Sequence, residues 1–429
     1  MDYISRNMAK KLENTVKTFS TVYLSGARQC GKSTLVRHIL SSNAANYITF
    51  DTTAVMAAAK KDPEAFISNL PKDRLNIIDE IQRVPEIYLK LKKYVDDKRF
   101  TGNGRALFIL TGSANIPALP ELAKSLAGRM AVLTLYPFSV AEMHNTDANF
   151  ISRIWNDDLS IKSHKRVNLI DFITKATFPE IALNSDIDRS IWFDSYLSTI
   201  LQRDAVEFAN IRKPELIYQL LVSLSGRVGS LLKNEDIMKD TGMNQFTFEK
   251  YKSFCNATFM TFEIPSWSKP NKLNKRFVKS KKIYFTDTNF LCFLMRRDIR
   301  EVFERDRPLM GHLFENFIAS EIMKSTGVLP GKFYVSHFNP VRGEGKETDF
   351  VIENGAGEAI AIEVKLDSSL NARDFANLEL CRNTIGNRFK RGIVLYTGEE
   401  AVPFGDKLWA VPLALGLLPE YPYNNRRTH

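Results

Sequence analysis

Over its first third the chain alternates short apolar runs with stretches whose apolar residues recur every three or four positions. Val22-Tyr23-Leu24, Tyr47-Ile48-Thr49-Phe50, Leu75-Asn76-Ile77-Ile78, Leu107-Phe108-Ile109-Leu110 and Val132-Leu133-Thr134-Leu135 read as short buried strands. Leu35, Val36, Ile39 and Leu40 recur at helical spacing after the first run, and Leu119 to Ala127 reads as helix before the last. Strands alternating with helices predict a parallel sheet covered on both faces within residues 1–136. At Tyr136-Pro137-Phe138-Ser139 the alternation stops, and 137–210 reads as a helical lid or connector.

Residues 211–300 carry a different rhythm. Leu231 to Ile237 starts a short helix, Thr241-Gly242-Met243-Asn244 makes a turn, and Thr247 to Phe254 forms a second helix. This spacing resembles a helix-turn-helix, with Phe262-Glu263-Ile264-Pro265 and Lys282-Ile283-Tyr284-Phe285 as wing strands. In residues 301–429, an amphipathic helix starts at Gly311. Farther on, Glu347 to Ile352 and Ala359 to Lys365 read as two strands of a hairpin. A loop of 354–358 sets residue 353 opposite 359, which places Asp349 opposite Glu363. Alternation puts Glu363 and Lys365 on one face, with Ile360, Ile362 and Val364 on the other.

Composition narrows the class. With 429 residues and 44% hydrophobic content the chain can bury large cores. It contains no apolar run of spanning length, and its first ten residues lack the apolar core of a signal peptide, so the expectation is a cytoplasmic protein with no membrane partner. Cys30, Cys255, Cys292 and Cys381 are scattered without metal-ligand spacing and read as free thiols. The net charge of +10 favours polyanionic partners only weakly, and its location matters more. Lys269, Lys272, Lys275, Arg276, Lys279, Lys281 and Lys282 fall in one stretch without an acid, a basic wing suited to a DNA backbone. A solvated hairpin or a protein contact is the alternative for this segment.

Three places carry chemistry. Gly26-Ala27-Arg28-Gln29-Cys30-Gly31-Lys32-Ser33 fits Gly-x4-Gly-Lys-Ser/Thr between a strand and a helix, with Thr34 following. Backbone N–H groups of such a loop and the helix start wrap a β-phosphate; Lys32 would reach the β/γ-phosphates and Ser33 would ligate Mg2+. The apolar strand ending in Asp79-Glu80 reads as a Walker B segment, Asp79 serving the magnesium shell and Glu80 orienting the attacking water. Ser113, in Thr111-Gly112-Ser113 at the end of the next strand, is placed to sense the γ-phosphate. Arg129 before the last strand is either an arginine finger acting in a neighbouring subunit of a homo-oligomer, or an ordinary helix-end cation. The acidic end of the second strand, Asp51, falls near the expected phosphates, and Arg203 with Asp204 reads either as lid residues or as a surface ion pair. No Asn-Lys-x-Asp guanine motif follows the core strands, which points to ATP.

The third place is the C-terminal hairpin. Asp349 and Glu363 as Mg2+ ligands, Lys365 positioning water, and Glu315 on the upstream helix together form a PD-(D/E)XK nuclease pattern. The alternatives are a half-buried charged hairpin and a nuclease-like domain that does not cut.

With these residues the chain resembles, over nearly its full length, a widespread family of prokaryotic AAA-type P-loop ATPases with a conserved C-terminal domain of unknown function. Ser25 to Thr34, Ile78-Asp79-Glu80-Ile81-Gln82, Leu110 to Ser113, Ala127-Gly128-Arg129, Tyr136 to Ser139, Tyr284 to Thr288 and Glu363-Val364-Lys365 carry the resemblance. It implies an α/β chain: a P-loop core, a winged-helix segment and a restriction-endonuclease-like α/β domain. Thr288-Asn289 departs from the glycine usual after the aspartate.

Overall fold

A computed structural model describes residues 3–42, 45–102, 104–115, 119–156, 159, 167–205, 211–269, 281–340 and 347–418. The chain folds into two compact units: Met1–Phe138, Thr177–Glu263 and Ile283–Arg297 form the first, and Ser139–Ala176, Ile264–Lys282 and Asp298–His429 the second.

The first unit is built on five parallel strands, β1 (Thr21–Gly26), β2 (Asn46–Thr49), β3 (Asn76–Asp79), β4 (Phe108–Gly112) and β5 (Met130–Leu135), in the order β2-β3-β4-β1-β5. All five predicted runs are strands. The pairings β1–β4, β1–β5, β2–β3 and β3–β4 are parallel throughout, as the strand–helix alternation requires. Every residue of β1, β3 and β4 is buried, which explains why these runs are continuous rather than alternating. Tyr23, Ile78, Phe108 and Leu110 pack with Tyr88, Leu91 and Val95 of the helix Tyr88–Phe100. Asp62 caps the helix Pro63–Ser68 through Ala65 N–H at 2.9 Å, with proline at the first helical position, where its missing N–H costs nothing.

The same unit holds helices Glu215–Ser225, Asn234–Thr241 and Gln245–Ala257 and a two-stranded sheet of β6 (Thr261–Ile264) and β7 (Lys282–Phe285), whose outer residues Ile264 and Lys282 count with the second unit. Gly242 takes φ 67° between the last two helices, a conformation open to glycine, and Asn244 caps the second through Thr247 N–H at 2.8 Å. At the departure from the family pattern no turn is needed, because Asp287 caps the helix Thr288–Leu294 directly through Phe290 N–H.

The second unit is a mixed sheet in the order β12-β13-β11-β10-β9-β8: β8 (Tyr334–Phe338), β9 (Thr348–Glu353), β10 (Ala359–Lys365), β11 (Phe389–Tyr396), β12 (Val402–Pro403) and β13 (Leu408–Pro412). β8, β9 and β10 run antiparallel, while β11 joins β10 in parallel through the helix Ala376–Ile385. Glu353 pairs with Ala359, as the five-residue loop predicts. β10 lies in the sheet interior, and Ala359, Ala361 and Glu363 are as buried as Ile360 and Ile362, so the face carrying Glu363 is not a solvent face. The long helix begins at Arg307, a turn before the predicted start, and runs to Val328.

Candidate nucleotide and acidic sites

The strand-to-helix turn after β1 holds the loop residues. Gly31 has φ 97°, where a side chain would be strained, and a Cβ on Gly26 would strike the carbonyl oxygen of Leu135. Arg6, which the sequence reading did not single out, braces the loop from outside: its guanidinium donates to the carbonyls of Cys30 at 2.8 Å and Tyr136 at 2.6 Å and lies over the Phe138 ring. The Cys30 thiol donates to the Leu135 carbonyl at 3.3 Å, which accounts for it as a packed loop residue. Lys32 is buried, and its ammonium donates to the carbonyls of Gly26 at 2.9 Å and Ala27 at 2.8 Å.

Across the loop stand the ends of β2, β3 and β4. Asp79 accepts from Ser33 Oγ at 2.9 Å, from Tyr47 Oη at 2.6 Å and from Thr111 Oγ1. Burial first, and the bond to Asp79 second, push the Tyr47 phenol up to about 12. Glu80 takes φ 58°, a left-handed conformation uncommon outside glycine, which turns its side chain off the strand line. Burial raises its carboxyl above the usual range; Lys32 opposes this and Asp79 adds to it. Gln82 Nε2 donates to Glu80 and, at 3.2 Å, to Ser113 Oγ, so one amide ties the expected catalytic acid to the expected sensor. Gln82 was legible only as a buried polar residue between Ile81 and Val84.

Arg203 and Asp204 do not pair with each other. Asp204 is 2% exposed and accepts a two-pronged contact from Arg28 of the loop, at 3.2 Å to Nε and 2.8 Å to Nη2. Arg203 lies 3.4 Å from Asp51, which also holds Arg83 at 2.7 Å. The surface-pair reading is therefore corrected: both charges face the loop and the neighbouring strand end. Arg129 precedes β5 at the sheet edge opposite the loop and is gripped through two nitrogens by Asp96.

In the second unit the Asp349, Glu363, Lys365 and Glu315 side chains gather as the hairpin register requires, with an addition. Lys282, expected in the basic wing, is 3% exposed and cannot meet a phosphate backbone. Its ammonium lies 3.0 Å from Glu315 and 3.6 Å from Asp349, and against Glu347. Burial works against its charge, but Asp349, Glu315 and Glu347 outweigh this and raise its pKa far above the usual lysine range. Asp349 also accepts from Val364 N–H at 2.9 Å. Lys365 lies 3.2 Å from Glu363, whose other oxygen is buried without a hydrogen-bond partner. Burial, then Asp349, drives the Glu363 carboxyl well up, against the pull of Lys365. Among the described residues no three His, Cys, Asp or Glu side chains are grouped to hold a metal ion. Lys272, Lys275, Arg276 and Lys279 lie outside the described residues. Among the described residues no helix is long and apolar enough to cross a membrane.

Residues 18–144 match the family described as AAA domain, and residues 166–301 and 310–415 match two families described as Domain of unknown function (DUF8612 and DUF4143). The uncharacterized proteins Rv2008c of Mycobacterium tuberculosis and Mb2031c of Mycobacterium bovis are each 25% identical over 408 residues, 95% of this chain and 83% of theirs. Among solved structures, the Walker-type ATPase PABY2304 of Pyrococcus abyssi is 13% identical with a TM-score of 0.41, spanning 68% of this chain and 96% of its own. The ORC1 protein of Aeropyrum pernix, solved in complex with DNA, is 12% identical with a TM-score of 0.27, spanning 67% and 91%. Residues 18–144 thus form an AAA-type P-loop ATPase domain, followed by two domains of unknown function.

Proposed function

We propose that this protein binds and hydrolyses ATP and uses the nucleotide state as a switch, with a nuclease-like C-terminal domain that does not cleave in its present arrangement. The observation that carries the first half is the 2.9 Å contact between Ser33 and Asp79 with Glu80 next in the chain. A hydroxyl and a carboxylate so placed fit Mg2+, which would neutralise phosphate charge when bound. The amides of Gly26 to Thr34 would cradle the phosphates, and Lys32 would exchange its two loop carbonyls for phosphate oxygens. Glu80 would orient the water, with Gln82 and Ser113 setting its position. Arg129 enters this scheme only from a neighbouring subunit.

For the second half, the succession of a long helix, three antiparallel strands, a helix and a parallel strand supports a nuclease-like domain. The ammonium of Lys282 among its carboxylates favours the non-cleaving reading. The paired helices Asn234–Thr241 and Gln245–Ala257 beside β6 and β7 support a winged-helix reading, and the stretch Lys269–Lys282, without Lys282, supports a DNA partner.

The test compares ATP turnover in Mg2+ for the wild type, Lys32→Ala and Glu80→Gln, with plasmid and single-stranded DNA cleavage measured alongside. We expect turnover in the wild type only, ATP binding retained in Glu80→Gln, and no cleavage. Turnover undiminished in Lys32→Ala would sink the ATPase assignment; DNA cleavage lost in Asp349→Ala would sink the non-cleaving one.

A further inference from the structure

We propose that Lys282 is the resident cation of the Asp349/Glu363 centre and that its ammonium excludes a divalent ion from it. The inference rests on the nuclease-like reading of that centre, and it goes beyond that reading by naming what fills it. A two-carboxylate nuclease centre needs Mg2+ between its acids to bind phosphate and generate hydroxide. Here the cluster is fitted to a different cation. Lys282 opens β7, is 3% exposed, and touches three carboxylates, Glu315, Glu347 and Asp349, from one point. A lysine is almost never so buried unless paired. Asp349 has one oxygen toward Lys282 and gives the other to Val364 N–H at 2.9 Å, so neither is left over for a metal. Glu363 has its accessible oxygen on Lys365, and its second oxygen is buried without a partner, which suits a protonated carboxyl better than a metal ligand. An ammonium and a hexacoordinate Mg2+ cannot share this space, and the ammonium carries only one charge, so it pins the acids without activating water.

The experiment is titration of the nucleotide-free full-length protein with Mn2+, free Mn2+ being read by electron paramagnetic resonance, for the wild type, Asp349→Asn, Lys282→Gln and the double variant Lys282→Gln/Asp349→Asn. Any Mn2+ held near Ser33 and Asp79 is common to all four and cancels in the comparison. We expect the wild type and Asp349→Asn to give the same isotherm. Lys282→Gln should gain one Mn2+ that the double variant loses, and Mn2+ should raise the melting temperature of Lys282→Gln alone. If the wild type binds one Mn2+ that Asp349→Asn loses, the proposal is overturned. It is equally overturned if folded Lys282→Gln gains none. Should Lys282→Gln fail to fold, the wild type and Asp349→Asn still decide, because both keep the lysine. Gained Mn2+ without DNA cleavage in Lys282→Gln would leave the proposal standing while removing cleavage as the ancestral purpose of the centre.

Discussion

The contact between Arg28 and Asp204 joins the phosphate loop to a residue 176 positions away, and its strength can be worked out from its geometry. Two nitrogens of one guanidinium meet both oxygens of one carboxylate, at 3.2 and 2.8 Å, the fork-to-fork form of a charge-assisted pair. Asp204 is 2% exposed and the Arg28 side chain 18%, so water can restore little of what either loses. Removing the arginine leaves a buried carboxylate alone, which costs about 3–5 kcal/mol; removing the aspartate leaves a guanidinium with some water access, near the lower end of that range. Replacing both by apolar residues removes the uncompensated charge. A cycle of Arg28→Met, Asp204→Leu and the double variant should therefore show a coupling of about 2–3 kcal/mol, against under ~1 kcal/mol for an exposed pair. The assay is urea unfolding, following the transition that shifts when a non-hydrolysable ATP analogue is added. Because the pair holds a loop residue, Asp204→Leu should also weaken that analogue about tenfold, equivalent to ~1.4 kcal/mol. A coupling below ~0.5 kcal/mol, or an unchanged analogue affinity, would refute the view that Asp204 shapes the loop.

Two further outcomes are expected. Gly26→Ala should lose about 1–3 kcal/mol of stability and most nucleotide binding, because its methyl group meets the Leu135 carbonyl; denaturation together with analogue titration checks this, and a variant that binds normally would show the backbone can yield. Arg129→Ala should leave ATP affinity and turnover within about twofold, since its pair with Asp96 is largely exposed and contributes under ~1 kcal/mol. Turnover lost while binding is kept would establish a finger acting on a neighbouring subunit.

Local patterns were legible and long-range partners were not. The loop motif, the strand ending in Asp79-Glu80 and the pairing of Glu353 with Ala359 follow from spacings within a few residues, where covalent geometry leaves little choice. Arg6, Asp204 and Lys282 gain their meaning only from residues distant in sequence. Lys282 looked like one more lysine in a basic run, because nothing nearby in sequence reveals that Glu315, Glu347 and Asp349 enclose it. β11 was missed for a related reason. Its run Ile393-Val394-Leu395 is as apolar as the core strands, but it carries no motif and pairs in parallel only after the helix Ala376–Ile385.

The segment Ile200–Asp204 is wound as a π-helix between the α-helical residues Thr199 and Ala205, so it accommodates one residue more than a regular helix would over the same rise. Adjacent residues in a regular helix differ in bearing by about 100°. Losing one codon before Arg203 would restore the regular winding and turn both charged side chains by that angle, away from Asp51 and Arg28. Along this segment, then, residue count constrains divergence as much as residue identity: substitutions at Leu201 or Gln202 leave the two bearings intact, whereas a single in-frame deletion erases both at once.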